Sequence, residues 1–252
     1  MTDTTPREQR IALVTGANRG IGREVAAQLA ALGMTVLAGS RDQRRGEEAA
    51  AEMRAAGGDV RTVVLDVTDP STVQAAAKEV DDQFGRLDVL VNNAGIAGGI
   101  PEQAPGAVDL DTVREVFETN VLGAITVTDA MLPLLRRASA ARVVNMSSSV
   151  GSLAAMADPE GDFARLPAGA AYPPSKTALN SLTVQYAKSL RGTGILVNAS
   201  DPGACATDFT KHLPFRLSRT AAQGAAVAVR LATLDADGPT GGLFNDEGPV
   251  PW

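Results

Sequence analysis

One cysteine, one histidine and no long apolar run narrow the chemistry open to this chain of 252 residues. The lone thiol, Cys205, excludes an intrachain disulfide and a thiolate metal cluster. His212, the only imidazole, excludes a histidine cage and leaves carboxylates as the one route to a hard cation. No metal site is expected. No apolar stretch approaches the ~20 residues of a membrane span, and residues 1–10 are polar, unlike a signal peptide. The expectation is a cytoplasmic protein with no membrane partner. Basic residues are also in deficit: the net charge of −6 argues against a nucleic-acid partner, which favours a basic face.

The remaining sequence is that of an ordinary globule, with hydrophobic content of 44% and charged content of 21%. Short β-branched runs at 11–14, 35–38, 62–65, 89–91, 143–146 and 195–198 read as strands. They lack polar alternation, as in a parallel sheet covered on both faces. Ile21, Val25, Leu29 and Leu32 form one helical stripe, and Val73, Ala77, Val80 and Phe84 another. Asp69 is the expected N-cap of the second, with Pro70 in its first position. Later helices are expected at 112–135, 173–191 and 221–234, with a short edge strand at 243–244. This alternation predicts an α/β doubly wound parallel sheet, a Rossmann fold of about seven strands flanked by helices. No linker or repeat divides residues 1–252, so one domain is expected. Segments 151–171 and 203–219 break the alternation and leave the C-terminal ends of strands, where such sheets bind ligands. They are read as a loop-like substrate-side insert and a lid.

Two motifs carry chemistry. Gly16, Ala17, Asn18, Arg19, Gly20, Ile21 and Gly22 form a glycine-rich turn between a strand and an amphipathic helix, a cradle suited to pyrophosphate. Tight packing is the plainer reading of three glycines, but the strand before and the helix after favour the nucleotide. Tyr172 and Lys176 stand one helical turn apart and share a face, with Pro173 and Pro174 between them. Proline is tolerated only in a first turn, so Tyr172 should begin its helix. A phenol has a pKa of about 10, and the neighbouring cation should favour its phenolate. A nucleotide site beside such a pair points to hydride chemistry on a carbonyl or alcohol.

The glycine turn, Asn92-Asn93-Ala94-Gly95, Asn120, Asn145-Met146-Ser147-Ser148, Tyr172/Lys176 and Pro202-Gly203 occur in one order. That series resembles the short-chain dehydrogenase/reductase family over essentially the whole chain, with greatest likeness to its carbonyl-reductase-like branch. The resemblance implies that Tyr172 is the proton donor or acceptor, that Ser148 holds the substrate oxygen, and that Lys176 also binds the nicotinamide ribose. Asn120 would anchor a water in the proton path. It further implies that Asp66 and Val67 meet the adenine edge, that Asn93, Ala94 and Gly95 run beside the adenosine ribose, and that Pro202, Gly203 and Thr207 approach the carboxamide.

Cofactor choice is read at the end of the second strand, where NAD-preferring enzymes place a carboxylate. Here the residues are Ser40 and Arg41, with Arg19 in the glycine turn and Asp42 expected to point away. Guanidinium groups suit a 2′-phosphate, so NADP(H) is expected. Arg44 and Arg45 are read as partly recognition and partly solvated surface. Cys205 has no evident basic partner, and His212 is read as bordering the lid. The predicted function is NADPH-dependent reduction of a ketone or aldehyde. The alternatives are an NAD(P)-dependent alcohol dehydrogenase working oxidatively and a catalytically silent NADPH-binding regulator. Met156, Phe163, Leu166, Phe209, Leu213 and Phe215 suggest a mainly apolar substrate. Monomer and homo-oligomer stay open.

Overall fold

The computed structural model describes residues 9–211 and 216–252. His212, Leu213 and Phe215, named above, lie outside the described residues. In chain order the elements are β1 (Ile11–Val14), α1 (Gly20–Ala31), β2 (Thr35–Ser40), α2 (Gln43–Ala55), β3 (Val60–Val64), α3 (Pro70–Phe84) and β4 (Val89–Asn92). There follow α4 (Leu110–Phe117), α5 (Gly123–Leu135), β5 (Arg142–Met146), α6 (Leu153–Ala157), α7 (Tyr172–Ser189), β6 (Leu196–Ser200), α8 (Ala221–Ala232), β7 (Leu243–Phe244) and β8 (Pro249–Val250). All eight strands form one sheet in the order β3-β2-β1-β4-β5-β6-β7-β8. Every pairing is parallel except β7 with β8.

The apolar runs explain this layering. Every residue of β1, β2, β4, β5 and β6 is buried, because helices cover both faces of these strands. One apolar cluster joins Val25 and Leu29 of α1, Met53 of α2 and Leu231 of α8 to one face of the sheet. On the opposite face, Val73 and Val80 of α3, Met131 of α5 and Ala187 of α7 form the second. The outer strand β3 is only partly buried: Val60 and Val63 face the core, and Arg61 and Val64 are exposed, as an edge allows. Asp69 caps α3 by accepting from the Ser71 N–H at 2.9 Å, with Pro70 opening the helix as the sequence predicts.

Four details differ from the sequence expectation. The helix expected at 112–135 starts at Leu110 and is interrupted by a π-helical turn, Glu118–Leu122, between α4 and α5. The segment expected to be loop contains α6 after a 3₁₀ turn, Ser149–Gly151. Its initiation is local: the Ser152 hydroxyl accepts from the Ala155 N–H at 3.0 Å. An eighth strand, Pro249–Val250, pairs antiparallel with β7, too short to carry any periodic signal. Finally, β3 opens at Val60, two residues before the expected start, since Arg61 is tolerated on an edge strand.

Parallel alignment brings the C-terminal ends of the strands to one side. There, Asn92 Nδ2 donates to Asn145 Oδ1 and Thr128 Oγ1, both at 2.9 Å. Asn145 Nδ2 donates to Thr183 Oγ1 at the same distance. This buried polar chain ties β4 and β5 to α5 and α7 and fixes the base on which the candidate site stands.

Candidate active site

The glycine turn follows β1 directly. Gly16 has φ of 64°, a left-handed conformation that glycine adopts without a Cβ clash. At Gly22, the first turn of α1 passes so close to β4 that a Cβ would stand 2.2 Å from Asn93 Nδ2. That amide donates to the carbonyls of Thr15 (2.8 Å) and Gly16 (3.2 Å), holding the turn to the end of β4. Ala94 stands on the same backbone path, its N–H donating to Thr15 Oγ1 at 2.9 Å.

The start of α1 carries no side-chain cap. Side chains cap α2, α3, α4 and α8 through Asp42, Asp69, Asp109 and Thr220. Arg19, at the N-cap of α1, supplies no such bond, and the first turn holds no acidic residue. The free amides and positive dipole end at Gly20, Ile21 and Gly22 therefore fit an anionic group such as a pyrophosphate. Beside them lies a groove lined by Asn18, Arg19, Gly20, Arg23 and Arg45, with Glu48, Glu52 and Asp208 also on its walls. Ser40 ends β2 with its hydroxyl donating to the Asp42 carbonyl at 2.8 Å. Arg41 is exposed next to it, and the Asp42 carboxylate is turned to α2, accepting from the Arg45 N–H at 3.0 Å. Among the described residues, Asp42 is the carboxylate that follows β2 in sequence, and it is engaged as a cap.

Asp66 and Val67 follow β3. The Asp66 carboxylate accepts from the Thr68 N–H at 3.0 Å, which shapes the turn. Val67 is nearly buried and packs where a Cβ on Gly123 of α5 would stand, 2.7 Å from its Cγ2. The segment after β6 reaches back to the glycine turn: Thr207 lies against Gly20, and Asp208 accepts from Arg19 at 3.0 Å. Thr207 therefore lies beside the start of α1.

The second cluster assembles on α7. Tyr172 is the first residue of that helix and Pro173 and Pro174 occupy its first turn, as their missing N–H groups require. Its backbone N–H is satisfied by Gln103 Oε1 at 2.8 Å. Lys176, one turn on, is buried, and its ammonium donates to the Met146 carbonyl at 2.7 Å. The same ammonium stands 5.5 Å from the centre of the Tyr172 ring. Asn120 lies within the π-helical turn, a break in α-geometry that turns its side chain to the Ile96 loop. It accepts from the Ile96 N–H at 2.8 Å and donates to the Ile96 carbonyl at 2.9 Å and to Ser175 Oγ at 3.1 Å. Gly95 fits between Asn120 and Lys176, its Cβ direction meeting Asn120 Oδ1 at 3.1 Å and Lys176 Nζ at 3.7 Å.

Among the three serines after β5, only Ser148 faces Tyr172, with which it hydrogen-bonds. Ser147 turns inward to Asn180 Oδ1 at 2.5 Å, and Ser149 donates to the Asp201 carboxylate. The structure thus brings Asn120, Ser148, Tyr172 and Lys176 together at the strand ends. Phe209, on the segment after β6, stands over Tyr172 with ring centres 5.6 Å apart. Pro202 and Gly203 lie at the end of β6, where Asp201 Oδ1 accepts from the Gly203 N–H at 2.9 Å.

The electrostatics correct one expectation. The Lys176 cation was expected to favour the phenolate, but burial, with the Asp201 carboxylate adding to it, holds the Tyr172 phenol above its ordinary value. The hydrogen bond from Ser148 opposes this and is the smaller effect. Burial also pushes Lys176 down to about 8, while Asp201 works to raise it. Cys205 does have a basic neighbour, Arg219, although burial outweighs it and raises the thiol. Two residues escaped the sequence reading. Gln103 and Asp201 sit in no local pattern, and their roles arise only from contacts between distant segments.

Comparison with known proteins settles the family. The family model described as short chain dehydrogenase matches residues 10–216. This chain belongs to the short-chain dehydrogenase family. Salutaridine reductase from Papaver bracteatum is 32% identical, with 97% of this chain and 98% of that protein covered. Short-chain dehydrogenase anuI from Penicillium roqueforti is 36% identical over 88% of each chain. The solved structure of NADPH-bound carbonyl reductase from chicken fatty liver matches with a TM-score of 0.83 and 30% identity, covering 97% of this chain and 100% of that one. As a member of this family the chain is an oxidoreductase acting on carbonyl or alcohol substrates with a nicotinamide cofactor. Among the described residues no helix is long and apolar enough to cross a membrane.

Proposed function

We propose that this dehydrogenase uses NADPH to reduce a ketone or aldehyde to an alcohol, with Tyr172 as the proton donor. The observation that carries the reading is the convergence of Tyr172, Lys176, Ser148 and Asn120 beside the uncapped start of α1. A nicotinamide bound there supplies the hydride. The amides at Gly20, Ile21 and Gly22 hold its pyrophosphate, and Arg19 and Arg41 select the 2′-phosphate. Names of similar proteins support this preference, since one neighbour is NADPH-bound and two are described with NADP.

Ser148 donates to the substrate oxygen and aligns it with the Tyr172 hydroxyl. A phenol held in its protonated form by burial is suited to giving up its proton as negative charge grows on that oxygen. Lys176 and the Asn120 region lead inward from Tyr172 and return a proton after each turnover. The exposed apolar residues Leu153, Leu166 and Phe209 near this side favour a substrate with large apolar parts.

The test is initial-rate reduction of a ketone and aldehyde panel with NADPH and NADH at equal concentration. Turnover with an NADPH preference, lost by about 10²–10⁴-fold in Tyr172→Phe while NADPH binding persists, is the expected result. Turnover that prefers NADH overturns the Ser40/Arg41/Arg19 argument. Tight NADPH binding with no turnover, and full retention of any residual rate in Tyr172→Phe, favours the silent regulator.

A further inference from the structure

Two neighbouring residues on the segment after β6 touch two different parts of the site. Asp208 accepts from the Arg19 guanidinium at 3.0 Å, beside the glycine turn. Phe209 packs on Tyr172, with ring centres 5.6 Å apart and planes tilted by 60°. Both sit in the middle of one tight turn. The Thr210 N–H donates to the Thr207 carbonyl at 3.1 Å, closing it. The Thr210 hydroxyl accepts from the Thr207 N–H at 3.2 Å and donates to the Cys205 carbonyl. Asp208 and Phe209 therefore move together with the turn backbone. The turn hangs from a fixed neck. Arg219 Nε donates to the Pro202 carbonyl at 2.6 Å, and the Ala206 N–H donates to the Arg219 carbonyl at 2.8 Å.

We propose that this turn couples cofactor choice to substrate access: a 2′-phosphate takes Arg19 from Asp208, the turn shifts, and Phe209 leaves the Tyr172 ring. The inference rests on the reading that Arg19 selects the 2′-phosphate of NADPH. The competition favours the phosphate. Both side chains of the Arg19–Asp208 pair are more than half exposed, and such pairs hold weakly. A phosphate dianion offers the guanidinium fork several charge-assisted acceptors. Once bound, its charge repels the Asp208 carboxylate and drives the turn away. Phe209 is the substrate end of the device. It is 42% exposed and covers the ring of the proton donor, so a substrate that packs on that ring displaces it. NADPH and substrate then favour the same position of the turn and tighten each other, because linkage is reciprocal. NADH lacks the phosphate and leaves the Arg19–Asp208 pair in place. The coupling is at most about five-fold, the most that an exposed ion pair holds.

The Tyr172 ring reports the turn without any turnover. The chain has two tyrosines, Tyr172 and Tyr186, so isotopic labelling of tyrosine rings gives two sets of NMR signals, assigned by Tyr172→Phe. The Phe209 ring current marks the Tyr172 signals, and Phe209→Leu gives their positions without it. Asp208 and Phe209 are both exposed, so variants at these positions leave the core filled. The probes are adenosine 2′,5′-bisphosphate and 5′-AMP, which differ in the 2′-phosphate and carry no nicotinamide. At saturation the bisphosphate should move the Tyr172 signals toward their Phe209→Leu positions, and 5′-AMP should leave them in place. Asp208→Asn should show the moved signals with no nucleotide, and the bisphosphate should move nothing in Phe209→Leu. In steady state, the wild-type KM for a ketone should be lower with NADPH than with NADH by up to about five-fold. That ratio should fall toward one in Asp208→Asn. Bisphosphate bound with Tyr172 unmoved, or moved equally by 5′-AMP, overturns the coupling and leaves the NADPH reading standing. A bisphosphate that binds no more tightly than 5′-AMP overturns the NADPH reading, and the coupling falls with it.

Discussion

Arg19 of the glycine turn and Asp208 of the segment after β6 are joined by an ion pair of 3.0 Å beside the start of α1. The side chains are 64% and 62% exposed, so the pair adds at most about 1 kcal/mol to folding. Its consequence is for binding. Asp208 occupies the guanidinium that a 2′-phosphate would use, and like charges on Asp208 and a phosphate repel. Asp208→Asn should leave the melting temperature unchanged and tighten NADPH several-fold, with little effect on NADH. Fluorescence titration with both nucleotides measures it. Equal changes for the two would sever the link between Arg19 and the 2′-phosphate.

The approach of α1 to β4 at Gly22 leaves no room for a side chain. A Cβ there would meet Asn93 Nδ2 at 2.2 Å and the Gly16 carbonyl at 2.6 Å. Gly22→Ala must therefore displace the amide that fastens the glycine turn to β4. A loss of about 1–3 kcal/mol is expected from such overpacking. Urea denaturation should show it, together with weaker nucleotide binding. A variant as stable as wild type would mean that Asn93 can move without cost.

What the sequence disclosed depended on whether a signal was local. Strands buried on both faces announce themselves as unbroken apolar runs, which is why β1, β2, β4, β5 and β6 were legible. Pro70 and the Pro173/Pro174 pair mark helix starts because a missing N–H is harmless only there. The π-helical turn holding Asn120 was not legible, because its helical pattern continues on both sides and only tertiary contact with Ile96 favours the extra residue. Asp201 was illegible for the same reason. Its partners Ser149 and Gly203 converge through the sheet, and nothing about an aspartate before a proline reveals them.

Gln103 is a buried hub for the entry of α7. Its amide donates to the Ala97 and Gly99 carbonyls at 3.0 and 2.8 Å, and its Oε1 accepts from the Tyr172 N–H at 2.8 Å. Its backbone carbonyl also accepts from Ala170 at 2.9 Å. Gln103→Leu would keep the volume and orphan three polar groups, costing about 1–3 kcal/mol. Because Tyr172 loses the donor-acceptor contact that fixes the first turn of its helix, kcat should fall while the KM for NADPH stays close to wild type. Steady-state kinetics beside thermal unfolding separates the two effects. A fall in stability with kcat intact would confine Gln103 to holding the loop.

Lys176 makes folding depend on pH. Burial pulls the ammonium down to about 8 from an ordinary 10.5, so between these values the unfolded chain keeps a proton that the folded protein has released. Stability therefore rises with pH across that window. Below pH 8 both states hold the proton and the full cost of burying the charge, up to roughly 3 kcal/mol, is present. Tyr172 acts in the opposite sense, since its raised folded value costs stability only as pH climbs past the ordinary 10.0 of a phenol. Between pH 7 and about 9.5 the thiol of Cys205, which burial also raises, titrates near the top of the range, so Lys176 is isolated by comparison with a variant in which Cys205 is unchanged. Lys176→Met removes the titrating group, so wild type should gain on the variant steadily as pH rises through this range. Urea unfolding of both proteins at four or five pH values measures the gain. Parallel stability curves would show that the Lys176 ammonium is not desolvated in the folded protein, and its use as a buried proton relay to Tyr172 would fail with it.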